Sequence, residues 1–181
     1  MKKTFLLSFL ALTTFAVFAQ KKTTTSATVL FDATTSLDKA PKAENKTVIA
    51  AVDTKTGAVQ FEVNVKNFAF ANPTMQGHFN GANWMNSDTY PSFTFSGMIV
   101  NLANVNFEKN GTYTAQVEGG LTIRGKEQKL KVPATVIVQD GTITANSDFT
   151  IALADFGISG NPIDAGKVAK EPKVSVSAQF K

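Results

Sequence analysis

Cysteine is absent from the 181 residues, which excludes disulfides, thiolate metal sites, a cysteine nucleophile and a sulfur-linked lipid anchor. Histidine occurs once, at His78. One imidazole is too few for most zinc or copper sites, and any histidine-based triad would depend on that residue alone. Arginine also occurs once, at Arg124. Tryptophan and tyrosine number one and two against fifteen phenylalanines, so the aromatic mass has almost no hydrogen-bonding capacity and suits a core or an oily ligand. Together these scarcities count against an enzyme, a cofactor and a metal centre.

The one long apolar run covers residues 5–18. It follows Lys2 and Lys3 and ends with Val17 and Ala19 at the small-residue positions of an export cleavage site before Gln20. Too short to span a bilayer, it reads as a signal peptide over residues 1–19. Residues 20–181 then form one domain with a periplasmic or secreted destination. Cleavage removes two lysines and no acid, so the formal charge falls from +4 to +2, which gives no case for nucleic acid.

Within that domain the dominant signal is alternation with a period of two, which puts every second side chain on one face of a strand. Residues 20–25 are polar and read as a disordered leader. Strands are expected over about residues 27–31 and 47–53. Phe61, Val63 and Val65 then alternate with Glu62 and Asn64, and a change of phase at Phe68 and Phe70 predicts a bulge near Asn67. Further strands follow around Phe93, Phe95 and Ile99, and from Tyr113 through Ala115, Val117, Leu121 and Ile123. After a turn at Gly125 come Leu130, Val132, Ala134, Val136 and Val138. Asp140-Gly141 is a two-residue hairpin signal leading to Ile143, Ala145, Phe149, Ile151 and Leu153, and the last strand carries Val174, Val176, Ala178 and Phe180. The outcome is an all-β protein of eight long antiparallel strands, oily on one face and wet on the other, which closes into a barrel with the oily face inside.

One helix is expected over residues 72–85. Asn72 and Pro73 open it in cap and first-turn positions, and Met75, Phe79, Ala82 and Met85 share a face that covers one barrel end. Gly77 and Gly81 make it weak by propensity. Residues 154–172 read as a folded loop.

Three segments resemble the YceI family: "MQGHFNGANWMNSDTYPSFTFSG" over residues 75–97, "GGLTIRGKEQKLKVPATV" over 119–136 and "SDFTIALADFGISG" over 147–160. The resemblance implies an extended eight-stranded antiparallel lipocalin-like barrel with one short helix covering an end. It also implies an exported protein, of a family in which some members hold a long polyisoprenoid or quinone-like lipid inside; the residues offer no catalytic constellation, so the expectation is a non-catalytic binding protein. The first strand departs from the family pattern. It reads "SATVLFDATTSLDK", without the His-Ser pair and the second histidine many members carry, and the polar, lysine-bearing stretch over 37–46 predicts a shorter or differently closed barrel end.

The candidate lining follows from the inward positions: Phe68, Phe70, Phe93, Phe95, Leu121, Ile123, Phe149, Ile151 and Phe156, with the cluster Met75, Phe79, Trp84 and Met85. These read either as the wall and mouth of a tunnel for an apolar chain or as side chains that fill the barrel solid. His78 reads as a head-group contact or pH-sensitive latch, or as a structural residue; no carboxylate and nucleophile at recognisable spacing accompany it. Arg124, with Lys126, Lys129 and Lys131 nearby, suits a phosphate head group or a solvated outer face. The "ADFG" at 154–157 lacks the companions of the kinase magnesium motif and is a chance match. An apolar lipid is the expected partner, with peripheral membrane contact compatible. The competing readings are a small outer-membrane barrel, for which Trp84, Tyr90 and Tyr113 are too few to make aromatic girdles, and a structural or protein-binding barrel with a filled core.

Overall fold

Residues whose apolar side chains recur at every second position form nine strands in the computed structural model, which describes residues 21–181. The expected signal peptide, residues 1–19, and Gln20 lie outside the described residues. The strands are β1 (Lys21–Asp32), β2 (Lys42–Asp53), β3 (Ala58–Asn64), β4 (Ala69–Phe70), β5 (Ser92–Ile99), β6 (Gly111–Ile123), β7 (Lys126–Gln139), β8 (Thr142–Thr150) and β9 (Lys173–Phe180). Their order is β1-β9-β8-β7-β6-β5-β3-β2-β4, and pairing of β1 with β2 closes the ring. Eight strands make the antiparallel wall, while two-residue β4 only extends the edge of β2 at Ala43 and Glu44.

The connections divide the barrel into two unlike ends. One end, which we call the α1 end, carries the loop over 33–41, the long connection over 65–91 with helix α1 (Pro73–Asn80), the tight turn Arg124-Gly125, and the connection over 151–172 with helix α2 (Asn161–Asp164). The other end carries the shorter links over 54–57, 100–110 and 140–141. Both tight hairpins place two successive residues at positive φ, Arg124 at 51° with Gly125 at 71°, and Asp140 at 50° with Gly141 at 79°. That is the twist a two-residue antiparallel hairpin needs, and glycine supplies the second position without steric cost.

Three local expectations are corrected. Residues 21–25 are not a disordered leader: they extend β1, pairing from Lys21 with Asp53 to Thr24 with Ala50, and β1 and β2 are twelve residues each. Threonines at 23–25 suit an extended backbone although neither face there is oily. The change of phase after Val65 is not a bulge but a 3-10 turn over Val65–Asn67, capped by Asn64 Oδ1 accepting from the Lys66 amide at 3.0 Å. It lets Val65 and Phe68 both point inward. Helix α1 starts as expected, with Asn72 Oδ1 accepting from the Thr74 amide at 2.9 Å, but stops at Asn80 because Gly81 leaves the helical region as its C-cap. Met85 still reaches the core, its amide donating to the Phe79 carbonyl at 3.0 Å, while Ala82 is exposed.

Gly97 and Gly119 pair directly across β5 and β6. A Cβ on Gly119 would lie 2.4 Å from the Ser96 carbonyl oxygen and 2.7 Å from the tip of the Phe95 ring, so the ring occupies the space the two glycines leave. Gly119→Ala should therefore lower stability by about 1–3 kcal/mol through overpacking. An unfolding midpoint in denaturant that does not move would contradict this account.

Asp32 ties the end of β1 to the start of β2. Its carboxylate accepts from the Thr34 hydroxyl at 2.7 Å and the Thr34 amide at 3.1 Å, and lies 3.1 Å from Lys42 Nζ. The Thr34 hydroxyl first, then the Thr34 amide and Lys42, outweigh partial burial and hold the carboxyl below its ordinary value of 3.8. The folded pKa is depressed, so this contribution is complete above about pH 4 and is lost as pH falls through the folded value. Asp32→Asn is expected to flatten the acid limb of a stability-against-pH curve measured by denaturant titration.

Candidate functional site: an apolar cavity inside the barrel

The inward faces of all eight wall strands enclose a cavity of about 180 Å³ that runs from the α1 end toward the opposite end. Among the described residues no charged side chain lines it, and the polar lining residues are Thr94, Asn146 and Ser147. The period-two alternation places them so: β6 turns Ala115, Val117 and Leu121 inward, and β7 answers with Leu130, Val132, Ala134 and Val136.

Both ends are stoppered by buried side chains. At the α1 end Phe79 drops from α1 into a nest of rings, with centroids 6.3 Å from Phe31, 5.6 Å from Phe68 and 4.9 Å from Phe70. These tilted and edge-on contacts are the arrangements aromatic quadrupoles favour. Leu153, Phe156, Ile158 and Ile163, from the connection between β8 and β9, complete the cover. At the opposite end Val52, Ile99, Val138, Ile143 and Phe180 are all buried.

Of the expected lining residues, Phe68, Phe79, Met85, Phe93, Phe95, Leu121, Ile123, Phe149 and Ile151 face the cavity. Phe70, Met75, Trp84 and Phe156 do not. Phe70 packs at a tilt against Phe79, Met75 is half-buried on α1, Trp84 packs on the outside of the core, and Phe156 is buried in the cover. His78 is exposed on α1 and away from the cavity. Arg124 sits in its left-handed hairpin turn with Nη1 donating to the Gly157 carbonyl at 3.3 Å, and its Nε is buried without a hydrogen-bond partner. Lys131 points outward into an ion pair with Glu118 at 2.6 Å. The basic residues thus lie on the outer surface and do not meet the cavity.

Several lining residues have no counterpart among those expected. Phe31 and Phe61 carry the inward alternation of β1 and β3 and were legible in it; Ser147 holds an inward position of β8 in phase with Ile143 and Ala145. Phe107 comes from an irregular loop and has no periodic signal. Among the described residues no group of three or more histidines and carboxylates is placed to hold a metal.

A closed antiparallel eight-stranded barrel with an oily interior defines the lipocalin-like class. The chain belongs to the YceI family: the family's model, described as a YceI-like domain, matches residues 11–180. Solved structures agree on the fold. Burkholderia cenocepacia BcnA superposes with a TM-score of 0.71 at 23% identity, over 86% of this chain and 96% of that one. A polyisoprenoid binding domain from Saccharophagus degradans, implicated in plant cell wall breakdown, gives 0.73 at 10% identity, over 90% and 98%. A Campylobacter jejuni YceI protein gives 0.52 at 16% identity, over 100% and 94%. No curated protein matches the sequence.

The ring nest makes Phe79 the stopper of the α1 end. Phe79→Ala is expected to cost about 3–5 kcal/mol of unfolding free energy, the range for a buried phenylalanine. A loss below about 1 kcal/mol, the scale of an ordinary surface change, would mean the end is not held by this ring.

Proposed function

We propose that this barrel is an exported, non-catalytic binding protein that holds a long apolar lipid, of polyisoprenoid or quinone-like type, in its interior. The observation that carries the reading is the continuous cavity with no charged lining residue. The polyisoprenoid binding domain of similar fold supports the choice of ligand class. The same reading takes residues 1–19 as a cleaved export signal, with the mature chain beginning at Gln20 in the periplasm or outside the cell.

Magnitudes limit the ligand. Each buried methylene stabilises binding by about 0.8 kcal/mol, so ten give about 8 kcal/mol before association and ordering costs. Micromolar affinity needs about 8 kcal/mol net, so the barrel must enclose well over ten carbons. A cavity of about 180 Å³ exceeds the roughly 150 Å³ that takes benzene, yet falls short of the roughly 300 Å³ at which drug-sized pockets begin. A long chain therefore widens the interior as it enters, and part of the transfer energy offsets that rearrangement.

The outer-membrane reading fits the side chains poorly. A membrane-spanning barrel turns its apolar residues outward, whereas here they turn inward. Large exposed hydrophobics among the described residues are the scattered Leu37, Ile49, Met98, Val100 and Ile137. A filled structural barrel is disfavoured by the cavity itself.

Mass spectrometry of an organic extract from natively purified protein is expected to show a stoichiometric long-chain apolar species. Ala145→Phe, which adds a ring to the cavity wall, should reduce that species several-fold while unfolding stays cooperative. A clean extract, together with no uptake of an added polyprenol, would end the carrier reading. N-terminal sequencing of the exported protein should begin at Gln20.

A further inference from the structure

A barrel stoppered at both ends has to admit its ligand somewhere. Ladder pairing stops short at four places in the described wall, and they differ in how they are sealed. Between β5 and β6 it ends at Ile99 and Val117, and Asn101 bridges beyond, its Oδ1 accepting from the Gln116 amide at 2.7 Å and its Nδ2 donating to the Thr114 carbonyl at 3.0 Å. Between β2 and β3 pairing stops at Ile49 and Glu62, but the fully buried Asn45 spans the break, its Nδ2 donating to the Asn64 carbonyl at 2.9 Å. Between β1 and β9 it stops at Thr28 and Ser177, and buried Ala27, Ala178 and Phe180 close the space.

The break between β7 and β8 is longer, and half-buried side chains flank it. β7 has fourteen residues and β8 nine, yet they pair only from Gln139 with Thr142 to Thr135 with Asn146. Pro133 sits at the fork. Its carbonyl accepts from the Ser147 hydroxyl of β8 at 2.6 Å, so this residue's backbone polar groups face β8, and that is the side on which proline has no N–H to give. The ladder ends where its next donor is missing. Beyond the fork, β7 remains paired to β6 as far as Lys126, and β8 to β9 as far as Thr150, so two well-held strands run past each other unjoined.

The break has a lintel as well as a sill. Gln128 Nε2 donates to the Asp155 carbonyl at 2.9 Å and Arg124 Nη1 to the Gly157 carbonyl at 3.3 Å, tying the start of β7 to the cover. Between sill and lintel, the lips are Leu130, Val132 and Ala134 on β7 and Phe149 on β8. All four line the cavity, and none is fully buried.

We propose that the lipid enters and leaves through this side window between β7 and β8, and not through the α1 end. The proposal rests on the carrier reading above. The window adjoins the cavity directly, its lips are apolar, and passing through it breaks no backbone hydrogen bond of the wall. Entry past α1 would instead require Phe79 to leave its nest of rings.

The absence of cysteine allows a clean test. Lys131→Cys with Thr150→Cys, joined by a cleavable bifunctional thiol reagent, bars the window. Lys66→Cys with Asp88→Cys, replacing an exposed ion pair at 2.6 Å, pins the connection that carries α1. The readout is the rate at which pyrene-labelled geranylgeraniol passes from phosphatidylcholine vesicles into the protein. Barring the window should slow uptake about tenfold, with recovery on cleavage, as expected for a gated step; pinning α1 should leave the rate unchanged. Pro133→Val, which restores the missing donor, should also slow uptake. Slowing by the α1 link alone, or unchanged uptake with the window barred, overturns the proposal; the latter leaves the unjoined edges to a β-strand of a partner protein. If the untreated chain takes up no probe at all, the carrier reading has failed, and the window falls with it.

Discussion

Every strand of a closed antiparallel wall must find hydrogen bonds on both of its edges, because an unpaired amide or carbonyl inside a protein costs about as much as a lost hydrogen bond. The rest of the molecule depends on how this barrel meets that demand. Long ladders such as β6 with β7, paired without interruption from Gly111 opposite Val138 to Ile123 opposite Lys126, hold the oily side chains in one phase over their whole length. With the phase held, the interior collects carbon and the exterior collects lysine, threonine and glutamate. A one-residue slip would turn that arrangement inside out.

Where ladders cannot continue, the chain uses three remedies. A side-chain amide replaces the backbone at Asn45; small and aromatic residues pack shut the seam between β1 and β9; and between β7 and β8 the ladder stays unpaired beyond Pro133. The contrast matters because the first two lie beside fully buried residues, while the third lies beside half-buried ones. The same chemical rule thus gives seams that side chains bridge or pack shut, and one, between β7 and β8, that half-buried apolar residues flank.

Much of this architecture was legible in the sequence, and the unread parts have identifiable causes. Residues 111–138 and 174–180 alternate so cleanly that strand, phase and inward face follow directly, and Asp140-Gly141 announces its hairpin. Residues 21–25 were misread because their strand has no oily face: it is held by its pairing to β2, and polarity alone cannot tell such a strand from a loose tail. The length of α1 was overestimated because Met85 shares the helical spacing of Phe79 yet reaches the core through a turn after Gly81. Most expected cavity residues face the cavity, but Phe70, Met75, Trp84 and Phe156 do not, a distinction that periodicity cannot make. Pro133 was visible throughout; which neighbour its missing amide faces depends on pairing that only the folded chain defines.

The glycine pair at positions 97 and 119 leaves a bare patch on the inner wall. With no side chain on either of two facing wall residues, the ring of Phe95 lies folded against bare backbone. The width of the interior at this level therefore depends on where that ring lies, since neither glycine adds a side chain beside it.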